Sequence, residues 1–311
     1  MPQRILLDRV LSWRQVGEVA EGASLALSDE AQARIRAANA LVESIVVKGV
    51  RAYGVNTGVG ALCEVVIPEP KQAELSRNIV MSHAVGVGPA LESAAVRAVI
   101  AAAINNFAHG FSGVRPVVVD RLLALLDHDC VPEVPSLGSV GYLTHMAHIA
   151  LVLIGSGMAR SKGRTVGGAE ALRSMHLAPL VLKAKEGLSL VNGTPCATGM
   201  SALALRRTER LLDWADAIAA MSFENLRGQV AVFDADALGL RVSAGIREVG
   251  NRLRAALRGS AILGHSAGRR TQDPLSLRAV PQVHGAVRDL FAHAARVVAD
   301  ELASVTDNPA V

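Results

Sequence analysis

The sequence is poor in aromatic side chains. Aromatic residues make up 3% of the 311 residues, although half of the composition is hydrophobic. The core must therefore be built from Ala, Val, Leu and Ile, a mixture richer in helix formers than in the aromatic residues that strands favour. The length predicts about two domains and allows a large buried core.

Cysteine and long apolar runs are also scarce. Cys63, Cys130 and Cys196 are widely spaced and form neither a disulfide framework nor a Cys-x-x-Cys metal site. We interpret them as small apolar core residues in a reducing compartment. The longest apolar run, Met146 to Ile154, is interrupted by His148 and is much shorter than a membrane span. The N-terminus has no sustained apolar region. These absences predict a cytoplasmic protein with no membrane partner.

Charge is nearly balanced, with 32 basic and 28 acidic residues and a net charge of +4. The arginines are dispersed and are not clustered with aromatic residues as they are on a nucleic-acid-binding surface. We therefore expect no nucleic-acid partner.

Helical spacing of apolar residues recurs along the chain and predicts a mainly α fold. The segment 200–229 keeps this spacing without proline, which is typical of a long bundle helix. A region rich in Gly and Lys, about 162–188, predicts a small strand or a loop. We expect an N-terminal, loop-rich domain over 1–199 and the start of a helical bundle over 200–311. The segments with helical spacing are 28–42, 91–109, 116–128, 143–154, 200–229 and 283–304.

The segment from Tyr53 to Gly60 holds three glycines in eight residues and predicts a loop. Its spacing matches neither the dinucleotide-binding nor the P-loop pattern, so we do not expect it to bind a nucleotide. Tyr53 has two interpretations. A phenol can act as a general base where its surroundings favour the phenolate, or the ring packs at the edge of the loop.

Three other polar side chains also have two interpretations each. His83 precedes a second Gly-rich turn and is either a substrate-facing ring or a hydrogen-bonded packing residue. Asn192, followed by glycine, is either an amide donor where negative charge develops or a plain turn residue. Arg278 either forms two parallel bonds with a carboxylate or caps a helix start.

His145 and His148 are three residues apart on a predicted helix and share a face, a spacing compatible with a metal site. No third ligand lies nearby in the sequence. We therefore predict no metal and interpret the pair as support for the preceding loop.

Several segments resemble, in order, the motifs of the histidine and aromatic amino acid ammonia-lyases, and the resemblance is closest to the histidine enzymes. It covers nearly the whole chain, from Ala52 to Pro309. It implies the long-helix fold of that superfamily, a homotetramer with sites built from several subunits, and elimination of ammonia from an L-amino acid. The segments are Ala52–Gly60, Met81–Gly88, Pro135–His148, Leu190–Thr194, Gln272–Arg278 and Thr306–Pro309.

The resemblance implies a role for each candidate residue. Tyr53 would remove the β-proton of the substrate, and Asn192 would support the oxygen of an electrophilic ring. His83 would lie against the substrate side chain and help to select it. Its polar ring suits an imidazole or a phenol better than a phenyl group, which ranks histidine above phenylalanine. Arg278 would bind the substrate carboxylate. The alternatives are tyrosine or phenylalanine elimination and 2,3-amino migration.

Two positions depart from the family pattern. Leu275 stands where many members have a tyrosine that takes part in proton handling, and Pro195 stands where many have glutamine. Gln272 and Leu275 belong to the segment that ends at Arg278, and we expect both to line the substrate site. The first departure puts the proton chemistry in doubt, and the second weakens the assignment of the substrate.

A further departure concerns the cofactor. In the family, Gly-Ser-Val-Gly is followed by Ala-Ser-Gly, which cyclises into methylidene-imidazolone, whereas here Gly141 is followed directly by Tyr142. Either the cyclised unit stands at this junction and is not written among the standard residues, or the tripeptide is truly absent and the protein is an inactive scaffold. We favour the first account. Gly155–Gly157 could also supply a serine between small residues, but its glycines more simply end the helix before it.

The family continues well beyond its Thr-Asp-Asn-Pro motif, with further helices and further site residues. Either the 311 residues are part of a longer chain, or the bundle stops here with an apolar face that needs a partner.

Overall fold

The computed structural model describes residues 4–139 and 143–311 and divides the chain into two compact units. The first unit comprises the residues up to Leu203 together with Val298–Val311, and the second comprises Ala204–Val297. Both boundaries fall inside long helices. The domain limits expected from the sequence, 1–199 and 200–311, remain a prediction for the whole protein.

Helices make up most of the first unit, and serine caps start two of them. Ser12 forms a reciprocal capping box with Gln15. Ser28 Oγ accepts a hydrogen bond from the Ala31 backbone N–H at 3.1 Å. The helices of this unit are α1 (Trp13–Ala20), α2 (Asp29–Val47), α3 (Glu69–His83), α4 (Ser93–Ala108), α5 (Pro116–Asp127), α6 (Leu143–Leu153), α7 (Gly168–Ser174) and α8 (Glu186–Val191), with a short 3₁₀ turn at Gly60–Leu62.

Short strands connect these helices. The first two strands pair in parallel, β3 pairs antiparallel with β5, and β4, β6 and β7 form an antiparallel sheet. The β3 and β5 pairing places two Gly-rich segments side by side, with Val87 opposite Leu137. The strands are β1 (Arg4–Leu7), β2 (Ser24–Leu27), β3 (Val87–Ala90), β4 (Val131–Pro132), β5 (Pro135–Leu137), β6 (Met158–Ser161) and β7 (Arg164–Gly167).

The core of the first unit is aliphatic, as the composition predicted. Every residue of α4 from Ala95 to Ala108 is buried. Cys130 and Cys196 are buried as expected, and burial raises the pKa of their thiols to about 11 and about 12 respectively. The prediction was wrong for Cys63, which is only half-buried because it follows an exposed 3₁₀ turn.

The second unit packs around paired phenylalanines and one buried carboxylate. The ring centroids of Phe223 and Phe233 are 4.6 Å apart. Asp216 accepts hydrogen bonds from His284 Nδ1 at 2.8 Å, Arg252 Nε at 2.8 Å and Arg288 at 2.5 Å. Its helices are the C-terminal part of α9 (Pro195–Asn225) and the N-terminal part of α14 (Val280–Leu302), with α10 (Ala235–Gly239), α11 (Ala244–Ala256), α12 (Ala261–Gly264), α13 (Leu275–Arg278) and a 3₁₀ turn at Val230–Phe233.

All six helical segments predicted from apolar spacing are helices in the structure, with ends shifted by a few residues. α3 was not predicted, because half of the residues that it buries are polar, namely Gln72 and Ser76 beside Ile79 and Val80. The region 162–188 holds β7, α7 and the start of α8, so it contains more helix than expected.

α8 packs on α3 with almost no space between the two backbones. A Cβ atom built on Gly187 would overlap the carbonyl oxygen of Ser76. Glycine at this position therefore permits the close approach of the two helices.

We predict that Gly187→Ala lowers the free energy of unfolding by about 1 to 3 kcal/mol, because the added methyl group forces the two backbones apart. Helix propensity alone would favour alanine, so it cannot cause such a loss. Urea denaturation measures the change. Gly167→Ala is the matched control, since no atom lies within 4 Å of its added Cβ. Equal stability of both variants would contradict the packing argument.

Candidate active site

Tyr53 lies in a loop that its own polar residues hold in place. Gly54 and Gly60 adopt the left-handed conformation, with φ of +65° and +56°. Asn56 Nδ2 donates to the Val50 carbonyl at 2.9 Å, and its Oδ1 accepts from the Ala52 N–H at 2.9 Å. Tyr53 is 39% exposed. Its hydroxyl oxygen accepts a long hydrogen bond of 3.4 Å from the Gly60 N–H, which leaves the hydroxyl hydrogen available to a ligand.

The Tyr53 loop rests on α8. A Cβ atom built on Gly54 would overlap the side chain of Leu188. α8 ends at Val191, and Asn192 is its C-cap residue. The same short helix therefore positions the Tyr53 loop and Asn192, two of the residues that the sequence singled out.

The side chain of Asn192 uses only part of its hydrogen-bonding capacity. Its Nδ2 donates to the Asn308 carbonyl oxygen. An amide has two hydrogens, so one donor and the Oδ1 acceptor have no partner among the described residues. Gly193 follows with φ of +81°, which forms the turn that an Asn-Gly pair predicts.

His83 is the last residue of α3, and its Nδ1 lies 2.7 Å from the Ile79 carbonyl oxygen. A carbonyl can only accept, so Nδ1 carries the hydrogen in this contact. The other ring nitrogen, Nε2, is the one that can face a ligand.

In the segment 135–148, hydrogen bonds fix the residues on both sides of the junction between Gly141 and Tyr142. Thr144 N donates to Ser139 Oγ at 3.3 Å, which places a serine at the start of α6. His148 Nε2 accepts from the Gly86 N–H at 3.1 Å. A Cβ atom on Gly86 would lie 3.0 Å from His148 Nε2 and 3.2 Å from Pro135, so a larger residue would require these neighbours to shift by a few tenths of an ångström. His148 therefore links the two Gly-rich segments.

Gly141 and Tyr142, the predicted cofactor junction, lie outside the described residues. The residue that the resemblance assigns to the support of this ring would suit methylidene-imidazolone, because Asn192 retains an amide hydrogen. The sequence does not contain the precursor of this ring, since no Ala-Ser-Gly is written between Gly141 and Tyr142. After α6, Gly155 has φ of +80° and ends the helix, as expected for that glycine. Within residues 4–139 and 143–311, no group of three metal-ligating side chains lies close enough to hold an ion.

The segment Gln272–Arg278 belongs to the second unit. Asp273 fixes it by accepting from the Gln229 N–H at 2.5 Å and from Arg270 at 3.2 Å. Gln272 and Leu275 are exposed. Arg278 Nε is buried and has no hydrogen-bond partner among the described residues. An unsatisfied buried guanidinium N–H suits a carboxylate ligand.

The sequence did not indicate a buried ion pair at the start of α8, in the first unit. Lys185 Nζ donates to Asp307 Oδ2 at 3.2 Å, to the Ser112 carbonyl at 2.8 Å and to Ser189 Oγ at 2.8 Å. Neither side chain of the ion pair is exposed. Burial lowers the pKa of Lys185, and Asp307 opposes that shift.

The neighbouring Glu186 is also buried and fully paired. Its carboxylate accepts two bonds from the Arg115 guanidinium, at 2.7 and 2.8 Å. It also accepts the backbone N–H of Arg115 at 3.1 Å and of Lys183 at 2.7 Å. A Lys-Glu dipeptide in a Gly-rich region is typical of a solvated loop, so only Asp307 in the Thr-Asp-Asn-Pro motif could have pointed to these charges.

The profile of the aromatic amino acid lyase family matches residues 11–311, and the chain belongs to that family. It is 45% identical to a histidine ammonia-lyase of Sorangium cellulosum, over 99% of this chain and 61% of that protein. Among solved structures it is similar to histidine ammonia-lyase from Trypanosoma cruzi, with a TM-score of 0.90 and 32% identity over 99% of this chain and 59% of that one.

A tyrosine aminomutase from Streptomyces globisporus is similar too, with a TM-score of 0.92 and 33% identity over 99% of this chain and 63% of that one. These neighbours confirm the mainly α, ammonia-lyase-like fold that the sequence predicted. The chain spans about 61% of the length of its Sorangium relative. No described helix is long and apolar enough to cross a membrane.

We predict that stability falls as the pH is lowered below 6.5. Burial lowers the pKa of His148, and the nearby His145 lowers it further; burial also lowers the pKa of His145. The unfolded chain therefore binds protons first, so stability is full above 6.5 and is lost as the pH falls through the folded pKa values. Each histidine contributes at most about 1.4 kcal/mol per pH unit.

Urea denaturation of the wild type and of His148→Gln between pH 8 and pH 5 measures this effect. We expect a shallower pH dependence in the variant. At pH 8 both imidazoles are neutral, so the difference there reports the changed packing and the changed hydrogen bond with Gly86, and it serves as the reference. If the free energy of unfolding falls equally with pH in the two proteins, His148 does not contribute to the pH dependence.

Proposed function

We propose that the protein eliminates ammonia from L-histidine without oxidation and forms urocanate. The observation that carries this proposal is the position of α8, which brings the Tyr53 loop and Asn192 together in a chain that is 45% identical to a histidine ammonia-lyase. We further propose a homotetramer in the cytoplasm, as the resemblance implies.

Each candidate residue would have a separate role in catalysis or substrate binding. Tyr53, whose oxygen accepts one long hydrogen bond, would act as the phenolate and would become the phenol by accepting the β-proton. Asn192 would donate its second amide hydrogen where negative charge develops. Arg278, with its unsatisfied Nε, would bind the carboxylate, and His83 Nε2 would contact the imidazole of the substrate. Methylidene-imidazolone supplies the electrophile that makes the amino group a leaving group.

This proposal requires Ala-Ser-Gly between Gly141 and Tyr142 in the chain that the cell makes. The rival from another class is a scaffold subunit that keeps the fold without the ring. Elimination from tyrosine or phenylalanine, or 2,3-amino migration, is the alternative within the family. Pro195 and the similarity to a tyrosine aminomutase are the observations that favour assaying these alternatives.

Mass spectrometry of the proteolytic peptide that contains Gly141 and Tyr142 decides between enzyme and scaffold. We expect this peptide to be heavier than its written residues by Ala-Ser-Gly less two waters, because ring formation dehydrates the tripeptide twice. Ultraviolet assays with histidine, tyrosine and phenylalanine then rank the substrates. A peptide mass equal to that of the written residues, together with no turnover of any substrate, would establish the scaffold.

Tyr53→Phe tests the proposed base. We expect kcat to fall by about 10² to 10⁴, because the ring is kept and only the hydroxyl group is removed. Thermal unfolding should be nearly unchanged, since Tyr53 is 39% exposed and its hydroxyl makes one long hydrogen bond. A variant that keeps more than a third of the wild-type kcat would exclude Tyr53 as the base.

A further inference from the structure

The loop Asn192–Thr194 is held by Thr306–Asn308, which we call the clamp segment, and by Glu301, whose carboxylate accepts a hydrogen bond from Thr194 Oγ1 at 2.5 Å. Asn192 Nδ2 donates to the Asn308 carbonyl, and Thr194 N donates to Thr306 Oγ1 at 3.2 Å. A Cβ atom on Gly193 would lie 2.8 Å from Thr306 Oγ1, so the two segments are in close contact. The direction of the Asn192 amide therefore depends on where the clamp segment lies.

The clamp segment is in turn fixed at two points. Thr306 donates its N–H and its hydroxyl to Asn106 Oδ1, at 3.1 and 3.2 Å. Lys185 holds Asp307, the residue next to Asn308. The three hydrogens of its ammonium group are used by the Asp307 carboxylate, the Ser112 carbonyl and the Ser189 hydroxyl. The second carboxylate oxygen of Asp307 accepts the backbone N–H of Asn308 at 2.8 Å. Asp307 thereby joins the buried ammonium to the residue whose carbonyl holds Asn192.

The backbone of Lys185 supports a special role for this residue. Its φ is +66°, in the left-handed region that residues other than glycine rarely adopt. Such a conformation costs free energy and persists where the surrounding structure requires it. Here it directs a long cationic side chain into the interior immediately before α8, the helix that ends at Asn192.

We propose that Lys185 and Asp307 form a positioning pair that orients the amide of Asn192 through the clamp segment. This inference rests on the role proposed for Asn192. The pair touches neither substrate nor cofactor in this proposal. It fixes the direction of the Asn192 amide N–H. A donor stabilises developing charge in a catalytic site best when its direction is fixed in advance.

The test is the double variant Lys185→Met/Asp307→Leu in the full chain. Replacing both partners removes the charges together and leaves no unpaired ion, so the protein is expected to remain folded. We expect kcat for histidine to fall roughly 10- to 100-fold with little change in KM. We also expect hydrogen exchange of the peptide that contains Thr194 to become at least tenfold faster, because its amide is bonded to the clamp segment.

Ser189→Ala is the matched control. It removes one acceptor of the same ammonium group but leaves the link from Lys185 to Asp307, so kcat and the exchange of Thr194 should stay at wild-type values. A folded double variant in which either quantity stays within threefold of the wild type overturns the proposal. If the wild type itself turns over no substrate, the proposed function fails, and the exchange measurement alone still decides whether the pair holds this loop.

Discussion

The first unit depends on a buried ammonium group that has no access to water. Lys185 and Asp307 are both fully buried, and an isolated charge in that position would be prohibitively costly. The pair is tolerated because each hydrogen of the ammonium finds an oxygen and because the carboxylate also accepts a backbone N–H. Removing one partner would leave the other charged and unpaired, so the two segments that carry them must stay together.

This constraint makes α8 the centre of the candidate site. The helix is anchored by the charges at its start, packs its Gly187 on α3, supports Gly54 through Leu188 and ends at Asn192. Segments that are far apart in the chain thus meet on six residues of helix. Polar networks of this kind specify one arrangement only when every member is satisfied. Lys185 and Glu186 meet that condition.

Three residues of the candidate site keep a hydrogen-bond donor without a partner among the described residues. Tyr53 keeps its hydroxyl hydrogen, Asn192 keeps one amide hydrogen, and Arg278 keeps a buried Nε–H. Structural side chains in the same chain, such as Asp216 and Glu186, use their hydrogen-bonding capacity fully or nearly so. Donors that a fold orients but does not use are suited to a ligand. Buried atoms outside the candidate site, such as Ser112 Oγ and Arg288 Nε, also have no partner among the described residues.

The sequence by itself determined the helices whose buried faces are apolar, such as α4 and α6, because their spacing is visible in any window of a dozen residues. It also determined the glycine-rich loop of Tyr53 and, through the resemblance, the family. It did not determine α3, whose buried face includes Gln72 and Ser76, because polar residues hide the helical period. Only the tertiary structure decided that Lys185 lies in the core, since its partner Asp307 is 122 positions away and a charge can be buried only where folding brings its counter-charge.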